Sequence, residues 1–194
     1  MNLVLTSERL LLTPLSETDI DIALEMYTDP AVVKYVCDPM SEDEIRKEMS
    51  YVTKRGSNGC IGIWCISDRR TSEKYGDGYL LPMPVDEDDT DWDLLVPDAM
   101  PDGDIEVGYF LKRSAWGNGF ATEACRRLIK FAFEETSLKE VVATLDEGNQ
   151  NSRNVLEKAG FSYGGRIRAY GKDGPHFRIS REEWTELNQS GDES

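Results

Sequence analysis

The sequence predicts an α+β (mixed α/β) chain, a mixed β-sheet flanked by helices. Three observations carry that reading. Apolar runs of strand character alternate along the chain with segments of 3.6-residue periodicity. Helix starts are marked by side chains able to satisfy the free N–H groups of a first turn, at Ser41 and near Asn151. A strand pattern at residues 105–111 runs through a glycine-bearing turn directly into a helix from Phe120, the succession that lays helices against a sheet.

In chain order, Leu10-Leu11-Leu12 forms an apolar run ended by Pro14 and predicts a first strand. Thr18 or Asp19 caps a helix with Ile20, Ala23, Leu24 and Tyr27 on one face, stopped before Pro30. Ser41 with Glu44 three residues on is a capping box, opening a helix to about Lys54 on which Ile45, Met49 and Val52 recur. Cys60 to Ser67 and Gly78 to Met83 read as strands. Residues 105–111 alternate Ile105, Val107, Tyr109 and Leu111 with Glu106, Gly108 and Phe110, and so predict another. A helix over 120–135 follows, its stripe made by Ala121, Ala124, Cys125, Leu128 and Ala132. Val141 to Leu145 is a buried-type strand. Asn151 or Ser152 starts a further helix that Gly160 ends as a left-handed cap. Phe161 to Tyr170 and Phe177 to Ser180 close the pattern as strands.

The 194 residues, 39% hydrophobic and 30% charged, suffice for one globular domain over 1–194. One stretch breaks the pattern. Residues 82–104 hold nine carboxylates, four prolines and no Lys or Arg. Repulsion and proline oppose a helix or central strand there, so an acidic surface insertion is expected at about 84–104. It is either a solvated elaboration or an acidic rim that attracts a cationic substrate. Trp92, Leu94 and Leu95 are expected to pack part of it down. With 37 acidic against 22 basic residues the net charge is −15, and no basic tract exists to grip nucleic acid. No apolar run reaches membrane-spanning length, and the N-terminus lacks signal-peptide order. Four cysteines without CxxC spacing and a single histidine make zinc or a disulfide scaffold a poor reading, so no metal and a cytoplasmic setting are expected.

The chemistry is expected around Trp116-Gly117-Asn118-Gly119-Phe120-Ala121-Thr122. A glycine turn at a helix start exposes unpaired N–H groups at the positive end of the helix dipole, a site for phosphate or pyrophosphate. A P-loop would require Lys-Ser/Thr after the second glycine, where Phe120-Ala121 stands. A dinucleotide fingerprint would require a third glycine, where Thr122 stands. On these residues alone, glycines that merely permit tight packing remain an alternative.

The segment resembles the coenzyme A loop of the GNAT superfamily of N-acetyltransferases, Gln/Arg-x-x-Gly-x-Gly/Ala. Gly119 and Ala121 fill its last two positions and Trp116 replaces the leading Gln/Arg. That replacement and Ala121 to Ala124 are similar to the RimJ/RimL branch of ribosomal-protein N-terminal acetyltransferases. Thr6 to Leu12, Asn149-Gln150-Asn151-Ser152 with Leu156-Glu157-Lys158-Ala159-Gly160-Phe161, and Arg181-Glu182-Glu183-Trp184 resemble the same branch. The likeness implies a sheet with a V-shaped split between the strands at 105–111 and 141–146, its fourth and fifth, with acetyl-CoA lying in the split as co-substrate. It implies that the backbone of Tyr109, Phe110 and Leu111 pairs with the pantetheine, one N–H polarising the thioester carbonyl. Loop amides from Trp116 and Gly117 through Thr122 would hold the pyrophosphate, Asn149 would bond the pantetheine, and Ser152 would approach the sulfur. The superfamily's usual tyrosine acid falls at Leu156 here.

An uncharged amine must attack the thioester, so a base is needed, and Glu106 on the strand lining the split is the candidate. The competing role for Glu106 is a partly solvated residue paired with a basic neighbour. Ser152 is the candidate acid, against a role as helix cap. His176, beside Gly174-Pro175, is expected to be a turn residue, and Cys125 a buried one without an activating base. The expected function is acetyl transfer by direct attack to a primary amine, foremost a protein N-terminus. A small amine (aminoglycoside or polyamine) and a non-catalytic acyl-CoA-binding module are the alternatives. Monomer and homodimer are both compatible with the sequence.

Overall fold

A computed structural model describes residues 2–191, so Met1 and the last three residues lie outside it. Eight strands form one sheet in the order β1-β2-β3-β4-β5-β6-β8-β7. They are β1 (Leu5–Thr6), β2 (Leu10–Pro14), β3 (Gly62–Asp68), β4 (Lys74–Pro82), β5 (Ile105–Leu111), β6 (Glu140–Thr144), β7 (Ser162–Ala169) and β8 (Lys172–Ser180). Every neighbouring pair is antiparallel except β5 with β6. The helices are α1 (Ile20–Tyr27), α2 (Pro30–Val33), α3 (Glu42–Val52), α4 (Phe120–Glu135), α5 (Gln150–Ala159) and α6 (Arg181–Gly191). None of these is long and apolar enough to cross a membrane.

Alternation along β4 fixes the layers. Gly78 meets Leu128 of α4, whereas the next residue back, Asp77, meets Tyr27 of α1, so these two helices cover opposite faces. The core lies mainly between the sheet and α4, where Trp64, Phe131, Phe133 and Phe177 are fully buried. Each such side chain contributes about 1.5–3 kcal/mol of transfer free energy. A second cluster, Ala23, Ile45 and Met49, joins α1 to α3.

Local signals account for most boundaries. Ser41 Oγ accepts from the Glu44 N–H and the Glu44 carboxylate accepts from the Ser41 N–H, closing the capping box that starts α3. Gly160 ends α5 at φ 98°, a left-handed conformation suited to glycine. Pro30 opens α2 at its first position, capped by Asp29, since the first-turn N–H is dispensable. α5 begins at Gln150, capped by Asn149, slightly earlier than its sequence suggests.

Four expectations are corrected. His176 is not in a turn. It lies in β8, paired with Thr144 and Gly165, because the β7–β8 hairpin closes earlier, between Ala169 and Lys172. Pro175 is tolerated because it falls just past the last β6 pair, where the strand has a free edge. Leu94 is exposed, whereas Trp92 and Leu95 pack inward; a 3-10 turn at Trp92–Leu94 returns to the same side every third residue. β4 starts at Lys74, lengthened by a bulge opposite Ile66 and Ser67. The extra short strand β1 makes the split strands the fifth and sixth.

The acidic segment is anchored at both ends. Val85 bridges Ala169, the Gly171 N–H donates to the Glu87 carbonyl, and the Ser57 N–H donates to Val96. Between these anchors Asp86 to Asp89 stay exposed beside the β7–β8 turn, while Thr90 is buried.

Candidate active site

The split follows from the register of β5. On one side it pairs with β4 over its whole length, Ile105 to Leu111. On the other it pairs with β6 only at Glu106 opposite Val142. From Val107 onward the two strands part, leaving the β6-facing edge of Tyr109, Phe110 and Leu111 unpaired among the described residues. An unpaired strand edge can accept an extended ligand as an added strand.

At the open end of the split, β5 leads through a 3-10 turn, Arg113–Ala115, into the glycine turn and α4. Gly117 (φ 76°) and Gly119 (φ 79°) take left-handed conformations, and Gly119 is the N-cap of α4. A Cβ built on Gly117 meets nothing within 4 Å, and one on Gly119 meets only Arg9 Nη2 at 3.6 Å. Their backbone therefore stands clear. Among the described residues, the main-chain N–H groups of 117 to 122 donate to no protein acceptor, and the first helical bond is Glu123 N–H to Gly119. Open N–H groups at the positive end of a sixteen-residue helix fit a pyrophosphate.

Neighbouring side chains brace this turn. The Trp116 indole N–H donates to the Leu111 carbonyl at 2.7 Å, so the residue that replaces Gln/Arg ties the turn to the end of β5. Asn118 Nδ2 donates back to Ala115 and Trp116. Arg9, from just before β2, donates to the Asn118 carbonyl at 2.9 Å and pairs with Glu123 at 2.7 Å. Its guanidinium lies 4.7 Å from the Phe120 ring centroid, and that ring stacks on Tyr75. The role of Arg9 was not apparent from sequence; its one signal is that it stands in the Thr6 to Leu12 stretch singled out above.

Across the split, Asn149 Oδ1 accepts the Ser152 N–H at 3.1 Å as the cap of α5. Ser152 is thereby relieved of capping, and its hydroxyl lies 3.0 Å from that of Tyr109. The Tyr109 side chain, singled out above only for its backbone, thus links the two arms. Leu156 is buried one turn further along α5. Cys125 is also buried, its thiol pushed up to about 12 by desolvation, which leaves it an inert core residue.

Glu106 sits where the arms meet. It is 2% exposed and, among the described residues, has no basic partner, so the expected alternative of a solvated ion-paired residue does not hold. Its carboxylate accepts a hydrogen bond from the Tyr170 hydroxyl at the tip of the β7–β8 hairpin. Burial pushes its pKa up to about 8, and the phenol bond only partly opposes this. On the same face, Asp77 is 4% exposed, and burial pushes it up to about 7. No hydrogen-bond partner meets its Oδ1. Among the described residues, no cluster of His, Cys, Asp or Glu could hold a metal ion.

A parallel pair that splits after one register position, beside a glycine turn with open amides, is the architecture of an acyl-CoA N-acyltransferase. Residues 9–162 match the acetyltransferase (GNAT) domain family, and the chain belongs to it. The chain is 28% identical to an N-acetyltransferase, p20, of Bacillus licheniformis over 87% of both chains. It is 26% identical to the FsC-acetyl coenzyme A-N(2)-transacetylase of Aspergillus fumigatus, over 95% of this chain and 79% of that one. A GNAT-family acetyltransferase structure from Bacillus anthracis superposes with a TM-score of 0.72 at 20% identity, covering 92% of this chain and 99% of the other. The chain is an acetyl-CoA-dependent N-acetyltransferase that transfers acetyl to an amine.

Proposed function

We propose that the chain acetylates the α-amino group of a peptide or protein N-terminus, with Glu106 as general base. The observation that carries this reading is the placement of Glu106, a buried carboxylate with no cationic partner at the apex of the split. A general base works best when its pKa lies near the working pH. An α-ammonium titrates near 8, close to the value of about 8 to which burial lifts Glu106. Lysine, near 10.4, is the weaker acid and needs more help to lose its proton. An α-amine therefore asks less of a carboxylate base than a lysine does, in agreement with the RimJ/RimL-like motifs.

The other roles follow from position. The free edge of Tyr109, Phe110 and Leu111 receives the pantetheine arm, where an N–H polarises the thioester carbonyl. The N–H groups of Gly117, Asn118, Gly119, Phe120, Ala121 and Thr122, held in shape by Trp116, receive the pyrophosphate. Asn149 contacts the pantetheine from the start of α5, and Ser152 supplies a proton to the departing thiolate. The amine nitrogen bonds to the acetyl carbon, the carbon–sulfur bond breaks, and the amine proton goes to Glu106.

A small-amine acceptor is the second reading, favoured by the likeness to the fungal transacetylase over nearly the whole chain. Thiol release from acetyl-CoA, measured against a lysine-free peptide with a free N-terminus, its N-acetylated lysine-containing counterpart, a polyamine and an aminoglycoside, separates the two. The first peptide is expected to turn over best. Turnover confined to the small amines would overturn the acceptor assignment. Glu106→Gln should lower kcat by about 100-fold or more, as loss of a general base does.

A further inference from the structure

Tyr170 occupies a backbone conformation that its side chain makes costly. It lies at φ 53°, followed by Gly171 at φ 68°, in the two-residue turn that joins β7 to β8. Positive φ at both positions is the type I′ geometry, which selects Asn-Gly or Asp-Gly because a bulky Cβ is strained there. The other non-glycine residues with positive φ are Ser57, Asn58, Ser72 and Asp86, all small or able to bond their own backbone. An aromatic residue in this conformation is an outlier of about 1–2 kcal/mol, of the kind that persists where function or surroundings require it.

The surroundings identify the requirement. From the turn, the Tyr170 hydroxyl reaches down to donate to Glu106 Oε1. Thr90, buried in the acidic segment, places its hydroxyl 3.5 Å from the same phenolic oxygen. Glu106 itself is almost wholly covered, whereas Tyr170 is only half-buried. The acidic segment holds the turn in place through Val85, Asp86 and Glu87. Among the described residues, the phenol is the side chain that hydrogen-bonds the Glu106 carboxylate, and it stands between that carboxylate and the half-buried turn.

We propose that Tyr170 is a catalytic residue, a proton relay between the acceptor amine and Glu106. This rests on the reading of Glu106 as the base. As the amine nitrogen bonds to the acetyl carbon, its proton passes to the phenolic oxygen. The phenolic proton passes in the same event to Glu106, and the tyrosine stays neutral throughout. The electrons of the broken carbon–sulfur bond leave on the thiolate, which is protonated separately. Glu106 then returns its proton outward by the same path. Other titratable groups facing this pair are Tyr79 of β4, which feels the Glu106 charge, and Asp89 of the acidic segment, which acts on Tyr170. Neither bonds to Glu106.

Tyr170→Phe keeps the ring and deletes the relay. With folding checked by circular dichroism, kcat is expected to fall about 10- to 100-fold while the KM for acetyl-CoA holds, as for loss of a proton-transfer partner. The acidic limb of the kcat/KM profile is expected to move to higher pH, because the phenol bond holds the Glu106 pKa down. A tyrosine that only bonds Glu106 would move that limb as well, so the relay is read from kcat on the plateau above the limb. A Phe variant with unchanged kcat on the plateau above the limb overturns the relay, wherever the limb lies. If Glu106→Gln is inactive alongside such a variant, Glu106 remains the base and the relay alone fails. If Glu106→Gln retains full rate, the base and the relay fall together. Should Tyr170→Phe not fold, a proton inventory on the unaltered enzyme decides. A curved dependence on deuterium content, from two protons in flight, supports the relay, and a linear one overturns it.

Discussion

The hydroxyl of Tyr109 on β5 lies 3.0 Å from that of Ser152 in the first turn of α5, and this pair joins the two arms of the split sheet. The tyrosine comes from the strand and the serine from the helix beyond β6, so the contact forms only when the arms are correctly spaced. It puts two hydroxyls at the first turn of α5, one turn before the buried Leu156. Ser152→Ala should lower kcat by about 10-fold or more, in the range of a general acid. Tyr109→Phe, which leaves Ser152 present but unheld, should cost less. Both are read from steady-state rates, and a Tyr109→Phe loss exceeding that of Ser152→Ala would make the tyrosine the donor instead.

Gly119 tests the anion site. Gly119→Ala should lose about 1 kcal/mol of stability from its left-handed backbone while retaining acetyl-CoA binding, because the space above it is open. Gly119→Glu adds bulk and negative charge where the pyrophosphate lies in the proposed site. Isothermal titration should find at least a 100-fold weaker affinity, on the order of 3 kcal/mol. Equal affinities for the two variants would place the diphosphate elsewhere.

Arg9 braces the same turn from a distant part of the sequence. It bonds the Asn118 carbonyl, pairs with Glu123 and covers Phe120. Arg9→Ala should weaken acetyl-CoA binding by about 10-fold through a loosened turn, and Arg9→Lys should restore little, since a lysine cannot reproduce a fork that serves several acceptors. Titration of both variants checks this. Full rescue by lysine would mean that charge alone matters.

Asp77 sets a pH dependence of stability. Burial lifts its folded pKa to about 7, against about 3.9 in the unfolded chain. The folded state therefore binds the proton more tightly. The resulting stability is complete below about pH 4 and is lost as the pH rises toward about 7. Asp77→Asn removes the ionisation and should stabilise the protein at pH 8, by at most about 4 kcal/mol, with little effect at pH 4. Thermal melts across that range test the sign, and a variant less stable at pH 8 would show that the Tyr27 hydrogen bond to the ionised carboxylate outweighs its burial.

The capping box offers a check on local structure. Ser41 and Glu44 satisfy one another's backbone N–H at the start of α3. Ser41→Ala should cost about 1 kcal/mol, measured by denaturant unfolding with an unchanged slope.

How legible each part was depended on the range of the forces involved. α4 falls at Phe120–Glu135 and β5 at Ile105–Leu111, as their periodicity predicts. The signals there are caps, glycines and alternating burial, all within one or two turns of chain. The glycine turn with its open amides was legible for the same reason, since its geometry is the backbone of seven consecutive residues. His176 was misplaced because Gly174-Pro175 reads locally as a turn, while pairing with β6 and β7 makes it strand. The partner of Glu106 was invisible because Tyr170 lies 64 residues away and arrives from a hairpin whose tip the acidic segment helps to fix.

By itself the sequence determined the succession of strands and helices, the glycine turn with its free amides, and an excess of negative charge concentrated in one segment. Each is a property of neighbours in the chain, fixed by backbone geometry or composition. The tertiary structure alone decided that β5 and β6 touch at a single pair, that Glu106 is stripped of water and left without a cation, and that Tyr170 and Tyr109 close over the two sides of the split. Burial and pairing depend on residues brought together from far apart, and a carboxylate's proton affinity is set by what surrounds it.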